Sequence, residues 1–268
     1  MINEFLWQTI LEEGKELEVP ETKKRALIRE YLQSKIIFHL YNKPKSEKLS
    51  FIGGTSLRIL RNIDRFSEDL DFDNLGLSHK EIKLLFQKIF LDFKKENPEI
   101  EFNFKKTNHS GIGGFKFLKL LFDLDITTNK KEKLNIKINY TTPKIKPETE
   151  VIILKRFGFL RPVITNTKKY LLSQKIRAAL TRKDPQPRDF YDIAWLLSYR
   201  ISPHPKLFPE MKVKTEKELF EKLADEYRRK IKPNIEDFKK RLRPFLLDEK
   251  KIHYLDIFDE TIKSLIVN

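Results

Sequence analysis

The residue types that can do chemistry here are concentrated in one short stretch. Gly53 and Gly54 follow the apolar pair Phe51-Ile52 and precede the hydroxyls of Thr55 and Ser56. Glycines let backbone amides approach a phosphate closely, and a helix beginning at that point aims its positive end at the same anion. Downstream, Asp69-Leu70-Asp71-Phe72 alternates acidic and apolar residues. On a strand this pattern puts both carboxylates on one face and sends Leu70 and Phe72 into a core. Two adjacent carboxylates repel each other unless a cation lies between them, and their hard oxygens suit Mg²⁺ or Mn²⁺. Residues 51–73 therefore read as a phosphate cradle joined to a metal anchor, with Asp69 and Asp71 as ligands.

A second set lies in residues 174–192. Lys175 and Arg182 are seven positions apart, which places them on one side of a helix two turns from each other. Ala178 and Ala179 between them leave room for a ligand, so the ridge is suited to hold phosphate. Asp189 and Asp192 follow at a helix start, where an acid can cap the helix, meet its positive end, or orient Lys175 and Arg188.

The elements that must carry these residues follow from periodicity and breakers. Helices are predicted over 3–17 and 21–42, divided at Pro20, with Leu27, Tyr31, Leu32, Ile36 and Leu40 at helical spacing. After the 49–73 segment, Ser78 and Glu81 form a capping box that starts a helix lined by Ile82, Leu85, Phe86, Ile89, Phe90 and Phe93. Strands are expected over 100–106, 115–126 and 134–141, with Gly111, Gly113 and Gly114 in a flexible hairpin turn. Lys137 and Asn139 share a face of the last strand. Residues 143–165 carry several prolines and read as an irregular connection with one or two short strands. From Thr167 the chain turns helical, with helices over 168–182, 189–200, 215–231 (a second capping box at Thr215 and Glu218), 235–247 and 253–266. The expected class is α+β: a mixed-sheet core over 49–165, a helical lead-in over 1–48 and a helical C-terminal domain over 166–268.

Composition bounds the partners. The 268 residues hold 54 basic and 39 acidic side chains, a formal charge of +15. Such a surplus favours RNA, DNA or nucleotides. Cysteine is absent, which excludes disulfides and thiolate metal sites and fits a reducing compartment. The start lacks a signal-peptide pattern and no apolar run is long enough for a membrane span, so a cytoplasmic protein is expected. The histidines lack ligand spacing and no Gly-x-Ser-x-Gly elbow occurs, which leaves little for a zinc or serine hydrolase.

The arrangement apolar-Gly-Gly-Thr-Ser, short helix, Asp-apolar-Asp-apolar resembles the signature of the nucleotidyltransferase superfamily. More specifically, Gly53-Gly-Thr-Ser-Leu-Arg58 with Arg65-Phe-Ser67-Glu-Asp69-Leu-Asp71-Phe resembles the AbiEii/AbiGii toxin family of type IV toxin–antitoxin and abortive-infection pairs. Lys175-x-x-Ala178-x-x-x-Arg182 and Arg188-Asp189-x-x-Asp192 are similar to that family's later motifs. The resemblance spans about 49 to 200. It implies a nucleoside triphosphate bound by Gly53, Gly54, Thr55, Ser56, Arg58, Arg65, Ser67, Lys137 and Arg182. It implies catalytic duty for Asp69, Asp71, Lys175, Asp189 and Asp192, an RNA acceptor with tRNA 3′ ends as one target, and an antitoxin encoded nearby that forms no stable complex. One position departs from the pattern. Where such enzymes often have a third carboxylate, this chain has Asn139, which can ligate a metal but cannot take a proton. A non-catalytic nucleotide- or RNA-binding protein on the same scaffold is the alternative.

Overall fold

A computed structural model describes residues 2–267. Two compact units divide the chain. One comprises the described residues up to Asn62 together with Phe66–Thr165, and the other Ile63–Arg65 with Asn166 onward.

The first unit opens with α1 (Glu4–Glu16) and α2 (Lys24–Tyr41), then alternates β1 (Leu49–Ile52), α3 (Gly53–Arg61), β2 (Leu70–Asn74) and α4 (His79–Glu96). It continues through β3 (Ile100–Thr107), β4 (Ser110–Phe117), the one-turn α5 (Leu120–Asp123), β5 (Leu134–Thr141), β6 (Thr149–Arg156) and β7 (Phe159–Asn166). The strands form one mixed seven-stranded sheet in the order β3-β4-β5-β2-β1-β7-β6. β2 sits near its centre, antiparallel to β1 on one side and parallel to β5 on the other.

The period-2 pattern decides which face is buried. Leu70 and Phe72 of β2, Leu49 and Phe51 of β1, and Leu134, Ile136 and Ile138 of β5 are at most 1% exposed. They pack under α2 and α4, where Phe51, Phe72, Phe86 and Phe104 form a chain of ring contacts 5.5–5.8 Å apart. Each such buried side chain contributes about 1.5–3 kcal/mol. α4 starts where predicted, because Ser78 and Glu81 make both bonds of the capping box. The opposite sheet face carries Asp71, Lys137 and Asn139.

Three expectations need correction. Gly111, Gly113 and Gly114 lie inside β4, and the turn falls at Asn108-His109 instead. A Cβ at Gly114 would run into the Ile136 carbonyl of the neighbouring strand, so glycine here serves close strand approach. The strand expected to 126 ends at Phe117, and α5 follows. Residues 143–165 form two full strands joined at Phe157-Gly158. Both turn residues have positive φ (50° and 73°), as a tight hairpin requires.

The second unit is helical: α6 (Lys168–Thr181), α7 (Pro187–Ser198), α8 (Glu216–Glu226), α9 (Ile235–Leu242) and α10 (Phe258–Val267). A π-turn over Tyr227–Ile231 extends α8. Thr215 caps α8 by accepting the Glu218 amide, but Glu218 accepts from Lys214 rather than from the cap, so only half of the second box forms. Phe190, Tyr227 and Phe258 pack together at its core with ring centroids 4.9–6.0 Å apart.

Candidate active site

The two halves of the 51–73 segment meet through one glycine. Gly53 directly follows β1 with φ of +78°, and a Cβ there would stand 2.5 Å from Asp71 Oδ2. Any side chain would be strained by the backbone and would collide with the carboxylate. The turn's backbone and the acid thus share one small space, which is what a group bridging phosphate and metal needs.

α3 begins directly at Gly53 and is nine residues long. Its two hydroxyls are used inside the protein. Thr55 Oγ1 donates to the Asp69 carbonyl, and Ser56 Oγ lies 3.5 Å from Thr165 Oγ1. Both residues are buried. The groups left to face a phosphate are therefore the backbone amides at the start of α3.

Asp69 immediately precedes β2 and Asp71 lies within it; both are half-buried between the fully buried Leu70 and Phe72. Register places Asp71 opposite Asn139, and Asn139 Nδ2 donates to Asp71 Oδ1 at 3.0 Å. A carboxylate at 139 would repel Asp71, whereas the amide satisfies it. Lys137 is exposed on β5, and β5 flanks β2 on the side away from β1 and Gly53.

A metal ion fits this donor set. Mg²⁺ typically keeps several waters and takes one or two carboxylates plus substrate phosphates. Asp69 and Asp71 could supply the carboxylates and Asn139 an amide oxygen. Among the described residues no larger His, Asp or Glu cluster forms a cage of protein groups alone.

Arg58 stands apart from this open face. Arg58 is 3% exposed, and its Nε donates to the buried Glu30 of α2 at 2.9 Å. Arg156 Nε stands 3.5 Å from the same carboxylate. Arg58 so placed fixes α3 against α2 and β6 and does not reach toward a ligand. Ser67 is held by its backbone: the buried Gln33 donates to the Ser67 and Glu68 carbonyls at 3.1 and 2.9 Å. Sequence reasoning missed Glu30 and Gln33. Their signal was polar residues at otherwise apolar positions of α2.

The second unit gathers the rest. Arg65 grips Asp192 with two parallel bonds, Nε to Oδ1 at 2.6 Å and a terminal nitrogen to Oδ2 at 2.5 Å. Lys175 Nζ lies 2.8 Å from Asp192 Oδ2 and 3.0 Å from Asp189 Oδ1, and Arg182 pairs with the other Asp189 oxygen. Arg65 and Asp192 are almost wholly enclosed. The ridge inferred for Lys175 and Arg182 is thus bridged by Asp189, and Arg65 serves inside this cluster.

Burial opposes the charges of Asp192 and Lys175, yet pairing wins. Asp192 is held below its ordinary range because Arg65 and Lys175 outweigh burial. Lys175 is held above its ordinary range because Asp192 and Asp189 do the same. Nearby, Tyr191 donates to Asp64 at 2.5 Å, which Lys251 also meets. Burial pushes this tyrosine's pKa up, and Asp64 adds to the shift.

Comparison with known proteins decides the family. The family described as "Nucleotidyl transferase AbiEii toxin, Type IV TA system" matches residues 35–263. The chain belongs to the AbiEii family. Among solved structures this AbiEii chain is similar to JHP933 from Helicobacter pylori, at 20% identity and a TM-score of 0.56, covering 93% of this chain and 95% of that one. It is also similar to MenT4, a nucleotidyltransferase toxin from Mycobacterium tuberculosis H37Rv. There the identity is 14% and the TM-score 0.59, covering 95% of this chain and 89% of that one. At these identities the likeness is one of fold. No curated protein matches the chain. Among the described residues no helix is long and apolar enough to cross a membrane.

Proposed function

We propose that this AbiEii chain is a metal-dependent nucleotidyltransferase toxin that moves a nucleotidyl group from a nucleoside triphosphate to an RNA hydroxyl, tRNA 3′ ends being one target. The observation that carries the reading is the contact geometry of Gly53 and Asp71, where a Cβ would stand 2.5 Å from the carboxylate. Triphosphate held by the first amides of α3 lies against the aspartates. Asp69 and Asp71 would hold Mg²⁺ or Mn²⁺, which when bound neutralises phosphate charge in an in-line displacement.

The acceptor oxygen bonds to the α-phosphorus, the bond to the bridging oxygen breaks, and pyrophosphate leaves. Asn139 cannot take the hydroxyl proton, so a carboxylate of the Asp69–Asp71 pair receives it. Lys175 stays a cation paired with Asp189 and Asp192 inside the second unit. In keeping with a type IV system, a separately encoded antitoxin would counter the activity without a stable complex in the reducing cytoplasm.

Incubating the protein with total RNA, Mg²⁺ and each labelled triphosphate tests the proposal. Label should enter RNA with wild type and not with Asp71→Ala. Equal labelling by both, or none by wild type with any triphosphate, overturns it.

A second reading rests on Asn139 and its bond to Asp71: a nucleotide- or RNA-binding protein that does not turn over. It requires that wild type bind triphosphate without transfer and that Asn139→Asp gain transfer.

A further inference from the structure

β2 has a neighbour on each side, and the two sides differ. Toward β1 lies Gly53 with its phosphate-facing amides. Toward β5, β4 and β3 lies an exposed sheet face. Its rows are set by register: Asp71–Asn139–Ile112–Lys105, and beside it Lys137–Gly114–Asn103. Strands about 4.8 Å apart put Lys105 about 14 Å from Asp71 along the first row.

The side chains on this face are exposed and almost free of acid. Ile112 is 47% exposed, and Asn103, Lys105, Asn135 and Lys137 are exposed as well. Its one acidic side chain, Glu101, is taken by Lys116 at 2.6 Å. Neither Lys105 nor Lys137 has an ion-pair partner among the described residues. Gly114 leaves the second row without a central side chain, so the floor is low between Lys137 and Asn103.

We propose that this face of β5, β4 and β3 is the track for the single-stranded 3′ end of the acceptor RNA, with phosphates met by Lys137 and Lys105. The proposal rests on the nucleotidyltransferase reading and adds the route by which the acceptor arrives. Charge complementarity selects a polyanion. The row's origin at Asp71 selects a strand end, because only a terminus brings its hydroxyl to the carboxylate while its chain runs outward. The face is three strands wide, which suits one single strand lying across it. Triphosphate and acceptor then meet at Asp71 from opposite sides.

The test uses the full chain and a labelled single-stranded RNA, with binding measured over a range of salt. Triphosphate affinity and label transfer are measured in parallel. Lys105→Ala with Lys137→Ala should weaken RNA binding roughly tenfold and flatten the log–log salt slope by about 1.4, near 0.7 per phosphate contact. Ile112→Glu should weaken it as well. Lys83→Ala with Lys94→Ala, on α4, should change neither RNA nor triphosphate binding.

The track is overturned if the sheet-face pair behaves like the α4 pair, or if a duplex of the same sequence binds with the same lysine dependence. It is also overturned if the sheet-face pair loses triphosphate affinity in place of RNA affinity. Lysine-dependent RNA binding without any transfer would sink the enzyme reading and leave the track standing. Transfer by a sheet-face pair with unchanged RNA affinity would do the reverse.

Discussion

Two charged centres of this chain are built on opposite principles. Around Asp71 the carboxylates are half-buried on a sheet face, with an amide and a glycine turn for neighbours. Around Asp192 the charges are enclosed and matched: Arg65 and Lys175 on Asp192, Lys175 and Arg182 on Asp189. The first arrangement leaves its acids half-buried on a sheet face beside an amide donor. The second satisfies its charges from within. Removing one acid should therefore have different consequences in the two places.

The largest stability effect is expected for Asp192→Ala, which takes the paired carboxylate from the buried Arg65 and leaves Lys175 with Asp189 alone. Breaking a buried pair in this way costs about 3–5 kcal/mol, measurable as a shift in the urea midpoint. A loss under about 1 kcal/mol would mean that water or a neighbour replaces the carboxylate, and the contrast would fall.

Gly53→Ala comes next. The positive φ and the contact with Asp71 together cost about 1–3 kcal/mol, and transfer should fall with stability because the turn must move off the carboxylate. Retained activity would separate the turn from the site.

The pH dependence follows from Asp192. Its folded pKa lies below the ordinary 3.8, so its stabilisation is present above about pH 4 and is lost as pH falls through the lower folded value. The stability difference between wild type and Asp192→Asn should shrink in acid for that reason. Lys175, raised above 10.5, keeps its contribution until the pH climbs through its higher folded value. A difference that grows in acid would contradict the pairing.

Arg182→Ala should cost less than about 1 kcal/mol, since this arginine is 49% exposed and Lys175 still holds Asp189. The smallest stability change is expected for Asp71→Ala, near zero in the urea midpoint, alongside complete loss of label transfer. That pairing of outcomes against Asp192→Ala is the sharpest test of the contrast.

Local signals were legible and distant pairings were not. Gly53 and Asp71 announce themselves because the turn and the strand each need only a few neighbouring residues. The capping box at Ser78 is readable for the same reason. Arg65 offers no local sign that its partner is Asp192, 127 positions away, so a cation near the glycine turn reads as a ligand. Arg58 misleads in the same way until Glu30 is seen beneath it. In β4, glycines that let strands approach closely look like turn residues, because glycine's chemistry is the same in both. The prolines of 143–165 hid a hairpin. Pro162 is exposed in β7, three residues before Thr165, where β7 pairs with β1. The class of fold and the helical C-terminal region came through intact, since both rest on long periodic segments.

The short run Ile63–Arg65 belongs to the second unit although it lies in sequence between α3 and β2. Its arginine is only 1% exposed once folded, and its carboxylate partner is made 127 residues later. At a synthesis rate of about 5–20 residues per second, the nascent chain carries that cation unpaired for roughly 6–25 s. Asp69 and Asp71 leave the ribosome early, but the segment that joins them to α3 reaches its final partner only when translation is well past α6. A chain interrupted before Asp192 would hold the glycine turn and both acids without the clamp that secures the linker between them.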